Sequence, residues 1–242
     1  MTTVLLIRHG RTSANTAGIL AGRSSGVTLD MTGREQVAEV GRRIAGVPLK
    51  AVITSPLRRC RQTAQALLAA RSDDCPLCVD AGLVECGYGE WTGKSLRELS
   101  KEKLWGAVQH QPSSVRFPGG ESMGEMAARA VGAIRAWDTK LAAEHGPEAV
   151  WAAVSHGDPI KAILADALGM HLDSFQRIVV DPASISIIRY TASRPYAITV
   201  NSTQVDLAAM FTRKKKSRSR RPAPSGEAPV GGGLGSVDAA ES

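Results

Sequence analysis

The 242-residue sequence predicts an α/β fold: a single three-layer αβα domain, with a mostly parallel central sheet that carries an antiparallel hairpin at its edge. Two observations predict it. Short apolar runs alternate with longer segments whose apolar residues recur at three- and four-residue steps, as buried strands interleaved with amphipathic helices require. Two of those runs also end on the same design, a histidine followed by glycine, at Arg8-His9-Gly10 and Ser155-His156-Gly157. With 43% apolar residues there is enough to fill one sizeable core.

The elements follow in order. Val4 to Ile7 is wholly apolar, as a parallel strand covered on both faces must be, so Arg8 and His9 emerge at its carboxyl end. Arg34 to Ile44 places Val37, Val40 and Ile44 on one helical face. Ala51 to Ser55 is the next strand, and Leu57 to Ala70 a helix with Pro56 suited to its first turn. Leu77 to Leu83 reads as irregular. A longer helix runs from Glu121 to His145, with Met123, Met126, Ala130, Ile134, Trp137 and Leu141 on its apolar face. The strand from Val150 repeats the opening design, and Asp158 and Pro159 start a helix that Gly169 stops. Ser184 to Thr191 and Tyr196 to Val200 are rich in β-branched residues and form a hairpin. The Ser184 to Thr191 strand is read as the sheet edge and as a candidate homodimer surface.

Charge divides the chain. Arg213 to Arg221 (RKKKSRSRR) holds seven cations and no anion, which accounts for the whole formal excess of +7 and leaves the remainder near neutral. A segment rich in Pro, Gly, Ser and Ala follows, with almost nothing to bury. The expected organisation is therefore a folded domain over residues 1–211 and a disordered tail, basic and then Pro/Gly-rich, over 212–242. The tail is a candidate contact for an anionic partner. It has no interleaved aromatics to stack bases, so sequence-specific nucleic-acid binding is not expected. No apolar run is long enough to span a membrane and the N-terminus has no secretory pattern, so a cytoplasmic protein is expected. Four cysteines suggest reduced thiols, and Cys75-Pro-Leu-Cys78 lacks the second pair of a zinc site and reads as surface thiols.

In an open α/β sheet, ligands bind at the carboxyl edge. If the strands ending at Arg8-His9, Ser55-Pro56-Leu57-Arg58-Arg59 and Ser155-His156 are neighbours, two imidazoles and at least two guanidiniums converge on one pocket. Such a pocket suits a phosphoryl dianion, because the planar fork of arginine matches phosphate oxygens and stays charged. Glycine after each histidine permits a sharp turn and close approach to a ligand. The same cations repel a divalent ion, so no metal and no other cofactor is expected.

Five segments in this order, LIRHGRTSAN, SPLRRCRQTA, LVECGYGEWTG, PGGES and VSHG, resemble the histidine phosphatase superfamily in its phosphoglycerate-mutase-like branch. The resemblance spans Val4 to Tyr196. SHGDPIKAILADALG and the glycine-rich C-terminus are similar to a bacterial subfamily labelled probable phosphomutases. The resemblance implies a histidine phosphatase-like catalytic domain in which His9 is the nucleophile and forms a phosphohistidine. Its other ring nitrogen would then donate to a backbone carbonyl. Arg8, Arg59 and His156 would bind the phosphoryl oxygens, with Arg59 rather than Arg58 selected by the pattern Ser55-x-Leu57-x-Arg59-x-x-x-Thr63. Glu85 matches the proton donor, and the charge of a bound phosphate should raise its pKa. Thr12 and Asn15 sit where the family contacts phosphate or substrate, while Arg23 and Ser122 are candidate substrate contacts with turn and helix-capping roles as the competing reading. Trp91 is expected to pack rather than bind.

The implied activity is metal-independent hydrolysis of a small phosphate monoester. Two other readings stand beside it: a phosphomutase of the phosphoglycerate mutase type, and a non-catalytic module that binds phosphorylated ligands. The segment around Leu96 to Val115 is expected to wall the pocket, and the wider region Lys94 to Pro118 holds only Arg97 and Arg116 where mutases carry a cluster of arginines.

Overall fold

Val4, Leu5, Leu6 and Ile7 have no side-chain polar atom to offer water. In the computed structural model, which describes residues 2–203 and Gly231, they form the middle of β1 (Thr3–Arg8) and are buried on both faces. The other strands are β2 (Leu49–Thr54), β3 (Leu77–Val79), β4 (Val150–Ser155), β5 (Ile185–Arg189) and β6 (Tyr196–Ser202). The helices are α1 (Ser13–Ala17), α2 (Met31–Ile44), α3 (Arg58–Ala69), α4 (Leu96–Leu99), α5 (Lys103–His110), α6 (Met123–His145) and α7 (Gly157–Ala167). One sheet runs in the order β3-β2-β4-β1-β5-β6, parallel from β3 through β1, with β5 antiparallel to β1 and β6 antiparallel to β5.

The two-residue period of the strands sorts the core into two halves. Val4, Leu6, Ile53, Trp151 and Ala153 pack with Met126, Ala130 and Ile134 of α6 and Ile160 and Leu164 of α7. Leu5, Ile7, Val52, Ala152 and Val154 pack with Val37, Val40 and Ile44 of α2 and Ala64 and Leu67 of α3. The predicted three-layer αβα architecture is therefore present. Among the described residues, no helix is long and apolar enough to cross a membrane.

Three expectations are corrected. Leu77–Val79 is a strand, held by parallel pairing with Val52–Thr54, and a 3-10 turn at Ala81–Leu83 follows it; three residues are too few to carry a readable period. The Ser184 to Thr191 segment is not the edge, because β5 lies between β1 and β6. The edge is β6, which exposes Tyr196, Ile198 and Val200 at alternate positions. Cys75 is not a surface thiol: it is buried in the α2/α3 half of the core, with Cys78 half-buried.

Helix α2 begins at Met31, earlier than its apolar period suggests, because the Asp30 carboxylate caps it by accepting from Gly33 N at 2.7 Å. Gly33 and Gly10 are packed main chain to main chain. A Cβ on Gly10 would stand 2.5 Å from the Gly33 carbonyl oxygen, so the glycine after His9 serves an internal close approach rather than a ligand contact. The domain boundary expected at 211/212 and the basic run fall outside the described residues.

Candidate active site

Because β2, β4 and β1 are adjacent and parallel, their carboxyl ends deliver Ser55, Ser155-His156 and Arg8-His9 to one place, a cup of buried polar groups at the carboxyl edge of the sheet. The ring centroids of His9 and His156 are 5.2 Å apart at 63°, close enough for both to touch one tetrahedral anion.

His9 is held at both nitrogens. Its Nδ1 lies 2.8 Å from the Gly10 carbonyl, which can only accept, so Nδ1 carries the proton and Nε2 the lone pair. Arg59 Nε donates to that Nε2 at 3.2 Å. Burial, followed by the charges of Arg59 and Arg8, pushes the His9 pKa well below its ordinary value, so the ring is neutral at neutral pH. His156 is pushed down in the same way, by burial first and then by Arg59 and His9. Its Nε2 is 2.8 Å from Ser55 Oγ, and Cys60 Sγ approaches it at 3.4 Å. Burial raises the Cys60 thiol to about 12, which keeps it neutral beside the ring.

Arg59 and Arg58 separate cleanly. Arg58 is exposed, whereas Arg59 is buried, with Nη2 donating to the Gly22 carbonyl at 2.8 Å. Its Nη1 is buried with no hydrogen-bond partner among the described residues, a donor with capacity for an anion. Arg8 is wholly buried and donates from Nη1 to the Val180 carbonyl at 2.7 Å.

Glu85 reaches the cup from the loop after β3. Ser155 Oγ donates to the Leu83 carbonyl at 2.7 Å. Arg129 donates to the carbonyls of Gly82, Val84 and Glu85 at 2.8, 2.6 and 3.0 Å, and Arg23 Nε donates to that of Glu85 at 2.9 Å. The Glu85 carboxyl is buried, and Oε1 accepts from Cys86 N at 2.9 Å. Burial is the main cause of a pKa pushed up to about 7, with the Asp158 charge second. A bound phosphate is thus not needed for the rise that the sequence reading attributed to it.

The remaining candidates divide. Thr12 caps α1 in a box with Asn15: Asn15 N donates to Thr12 Oγ1 at 3.3 Å and Thr12 Oγ1 to Asn15 Oδ1 at 2.8 Å. Ser122 caps α6, accepting from Glu125 N at 3.1 Å, so its hydroxyl is engaged in the helix. Arg23 lines an open cavity of about 650 Å³ beside the Glu85 loop, with Arg116, Glu121 and Glu125. The Leu96 to Val115 segment does not line it. That stretch forms α4 and α5 and buries Leu99, Val108 and Val115 in the core, so the cavity takes its wall from Arg116 to Glu121 instead. Trp91 packs at 5.3 Å on Phe117 and at 6.2 Å on Trp105.

Sequence reasoning missed Ser55 as a partner of His156, Arg129 as the organiser of the Glu85 loop, and Asp158. Ser55 was visible as the first residue of its motif. Asp158 is wholly buried on the first turn of α7, accepts from Tyr88 Oη at 2.7 Å and has Lys161 Nζ 3.9 Å from its other oxygen. The sequence shows it only as a helix starter.

Comparison with known proteins places the chain in a family. The family described as the histidine phosphatase superfamily (branch 1) matches residues 4–203. A protein of Erwinia tasmaniensis named probable phosphoglycerate mutase is 31% identical over 195 residues, covering 80% of this chain and 87% of the relative. A broad-specificity phosphatase of Saccharomyces cerevisiae is 31% identical over 192 residues, covering 77% and 79%. Among solved structures, the alpha-ribazole phosphatase from Shigella flexneri superposes with a TM-score of 0.70 at 25% identity, over 84% of this chain and 99% of that one.

Proposed function

The chain belongs to the histidine phosphatase superfamily, branch 1, and from that premise we propose that it hydrolyses a small phosphate monoester through a phosphohistidine on His9, without a metal. In the first step the His9 Nε2 lone pair forms a bond to phosphorus while the ester P–O bond breaks, and the leaving oxygen takes its proton from Glu85. In the second, water attacks the phosphohistidine, the N–P bond breaks, and the Glu85 carboxylate takes the proton from water. Inorganic phosphate leaves with both groups restored. Arg8, Arg59 and His156 hold the equatorial oxygens, where fixed donors act on developing charge without reorganising. Asn15 and Arg23 are proposed as outer contacts, Asn15 through its side-chain NH₂.

One observation carries this reading: Nδ1 of His9 is committed to the Gly10 carbonyl, which leaves Nε2 as the nitrogen with the lone pair, beside Arg59 and on a ring 5.2 Å from that of His156. An ordinary carboxyl would be ionised at neutral pH; Glu85, pushed up to about 7, supplies an acid for the departing alkoxide. The test is turnover of p-nitrophenyl phosphate in EDTA by the wild type and by His9→Ala, with acid and alkaline quenching of the protein. An acid-labile, base-stable phosphoprotein is expected from the wild type alone. Equal rates in the two proteins would remove His9 from the reaction, and binding of phosphate without turnover would leave a phospho-ligand-binding module.

The mutase reading has weaker support. Of the two arginines in the Lys94 to Pro118 segment, Arg97 is exposed and Arg116 is paired with Glu125, so no cluster is formed to bind a substrate carboxylate. Conversion of 3-phosphoglycerate that depends on its bisphosphate primer would restore it.

A further inference from the structure

Gly231 lies far along the tail, yet it meets the folded domain at Arg8 and Asp158. Its N–H donates to Asp158 Oδ1 at 3.2 Å, and its carbonyl accepts from Arg8 Nη2 at 3.3 Å. We propose that Arg8, Asp158 and Tyr88 form a docking site for this glycine of the chain's own C-terminal segment, and that a phosphoryl group entering the cup competes with it for Arg8. The competition rests on the assignment of Arg8 to the phosphoryl oxygens; the docking does not.

Three features make this a built site. Gly231 has φ +74°, the left-handed region that glycine enters without a steric penalty. A Cβ there would stand 3.0 Å from Leu20 Cδ1 and 3.5 Å from Tyr88 Oη, so a larger residue would crowd the end of Leu20 as well as strain the backbone. Asp158 is a wholly buried carboxylate that the proposed reaction does not use, and such a group must be supplied with donors. Tyr88 Oη donates to one oxygen at 2.7 Å and the Gly231 N–H to the other at 3.2 Å, with the Lys161 ammonium 3.9 Å away as an ion-pair partner. The sequence supplies the matching chemistry in Val230-Gly231-Gly232-Gly233-Leu234, where a left-handed residue is inexpensive. Displacement by substrate is favourable, because a guanidinium can pair with a phosphate dianion charge to charge and through two parallel N–H···O bonds, whereas the carbonyl offers it a single neutral acceptor.

The experiment uses the full chain with ¹⁵N-labelled glycine, the Gly231 resonance being identified by its loss in Gly231→Val. Docking predicts that the Gly231 amide exchanges at least about tenfold more slowly than a free glycine, independently of protein concentration. Millimolar inorganic phosphate should abolish that protection. Calorimetry should show Gly231→Val binding inorganic phosphate about three- to tenfold more tightly than the wild type, the gain from removing an occupant of the competent state. Gly226→Val, the same change elsewhere in the tail, should bind as the wild type does. Fast exchange in the wild type would end the docking claim, and protection that rises with concentration would move the glycine to a second copy and end it equally. Protection unaffected by phosphate, or weaker phosphate binding in Gly231→Val, would end the competition. The outcomes separate from those of the phosphatase reading: turnover with an unprotected Gly231 sinks only the docking, and phosphate-sensitive protection without turnover sinks only hydrolysis.

Discussion

His9 and His156 share one local design, an apolar strand ending on histidine and glycine, and they are surrounded differently. His9 hydrogen-bonds through Nδ1 to its neighbour's carbonyl and turns Nε2 to Arg59. His156 turns Nε2 to the hydroxyl of Ser55 from the adjacent strand. Both rings are buried and neutral, so burial alone does not distinguish them. The difference lies in the partners of the ring nitrogens: the His9 Nδ1 meets a carbonyl and its Nε2 a guanidinium, whereas the His156 Nε2 meets a hydroxyl.

That contrast can be broken most severely at His9. His9→Ala should lower turnover about 10⁴-fold or more and abolish phosphoprotein in quenched samples. Label retained by His9→Ala and lost from a position 156 variant would reverse the two roles. Next in size is Glu85→Gln, expected to cost about 10²- to 10⁴-fold below neutral pH. The burial that drives both imidazoles down drives this carboxyl up, and the signs set the pH profile. A raised Glu85 is protonated and active below about 7, so kcat/KM should fall as pH rises through that value. The lowered His9 stays neutral, so the acid-side loss should begin well below pH 6.5. An alkaline limb near 7 that persists in Glu85→Gln would belong to another group.

His156→Ala should cost about 10²- to 10³-fold, as loss of a charge-stabilising donor does, while still allowing phosphoprotein to form. At the His9 junction, Gly10→Ala should destabilise the fold by about 1–3 kcal/mol, because its Cβ would overlap the Gly33 carbonyl oxygen; a urea midpoint equal to that of the wild type would show that α2 can retreat. The smallest effect expected is that of Ser55→Ala. Removing one hydrogen bond to a buried ring should cost about 1 kcal/mol, read as a several-fold fall in kcat/KM, and no change would leave the orientation of His156 to Cys60 and packing.

Local pattern was sufficient wherever an element buries a face of its own. The apolar run before His9, the three- and four-residue steps of α2, α3 and α6, and the order of the five motifs were all legible, and with them the layers, the family and the positions of His9, Arg59, Glu85 and His156. Elements made by pairing rather than by period were not legible. β3 is three residues recruited by the edge of β2, and β5 became internal only because β6 folded back beside it. The state of the site was equally hidden, since a proton's position depends on atoms brought from distant segments. Gly10 and Arg59 act on His9, Ser55 on His156, and burial and Asp158 on Glu85. The chain determined by itself which chemical groups stand at the strand ends, because strand and helix periods are properties of neighbours in sequence. Only the tertiary structure decided which of those groups are neutral and which partner each ring nitrogen meets, because charge and hydrogen bonding are properties of neighbours in space.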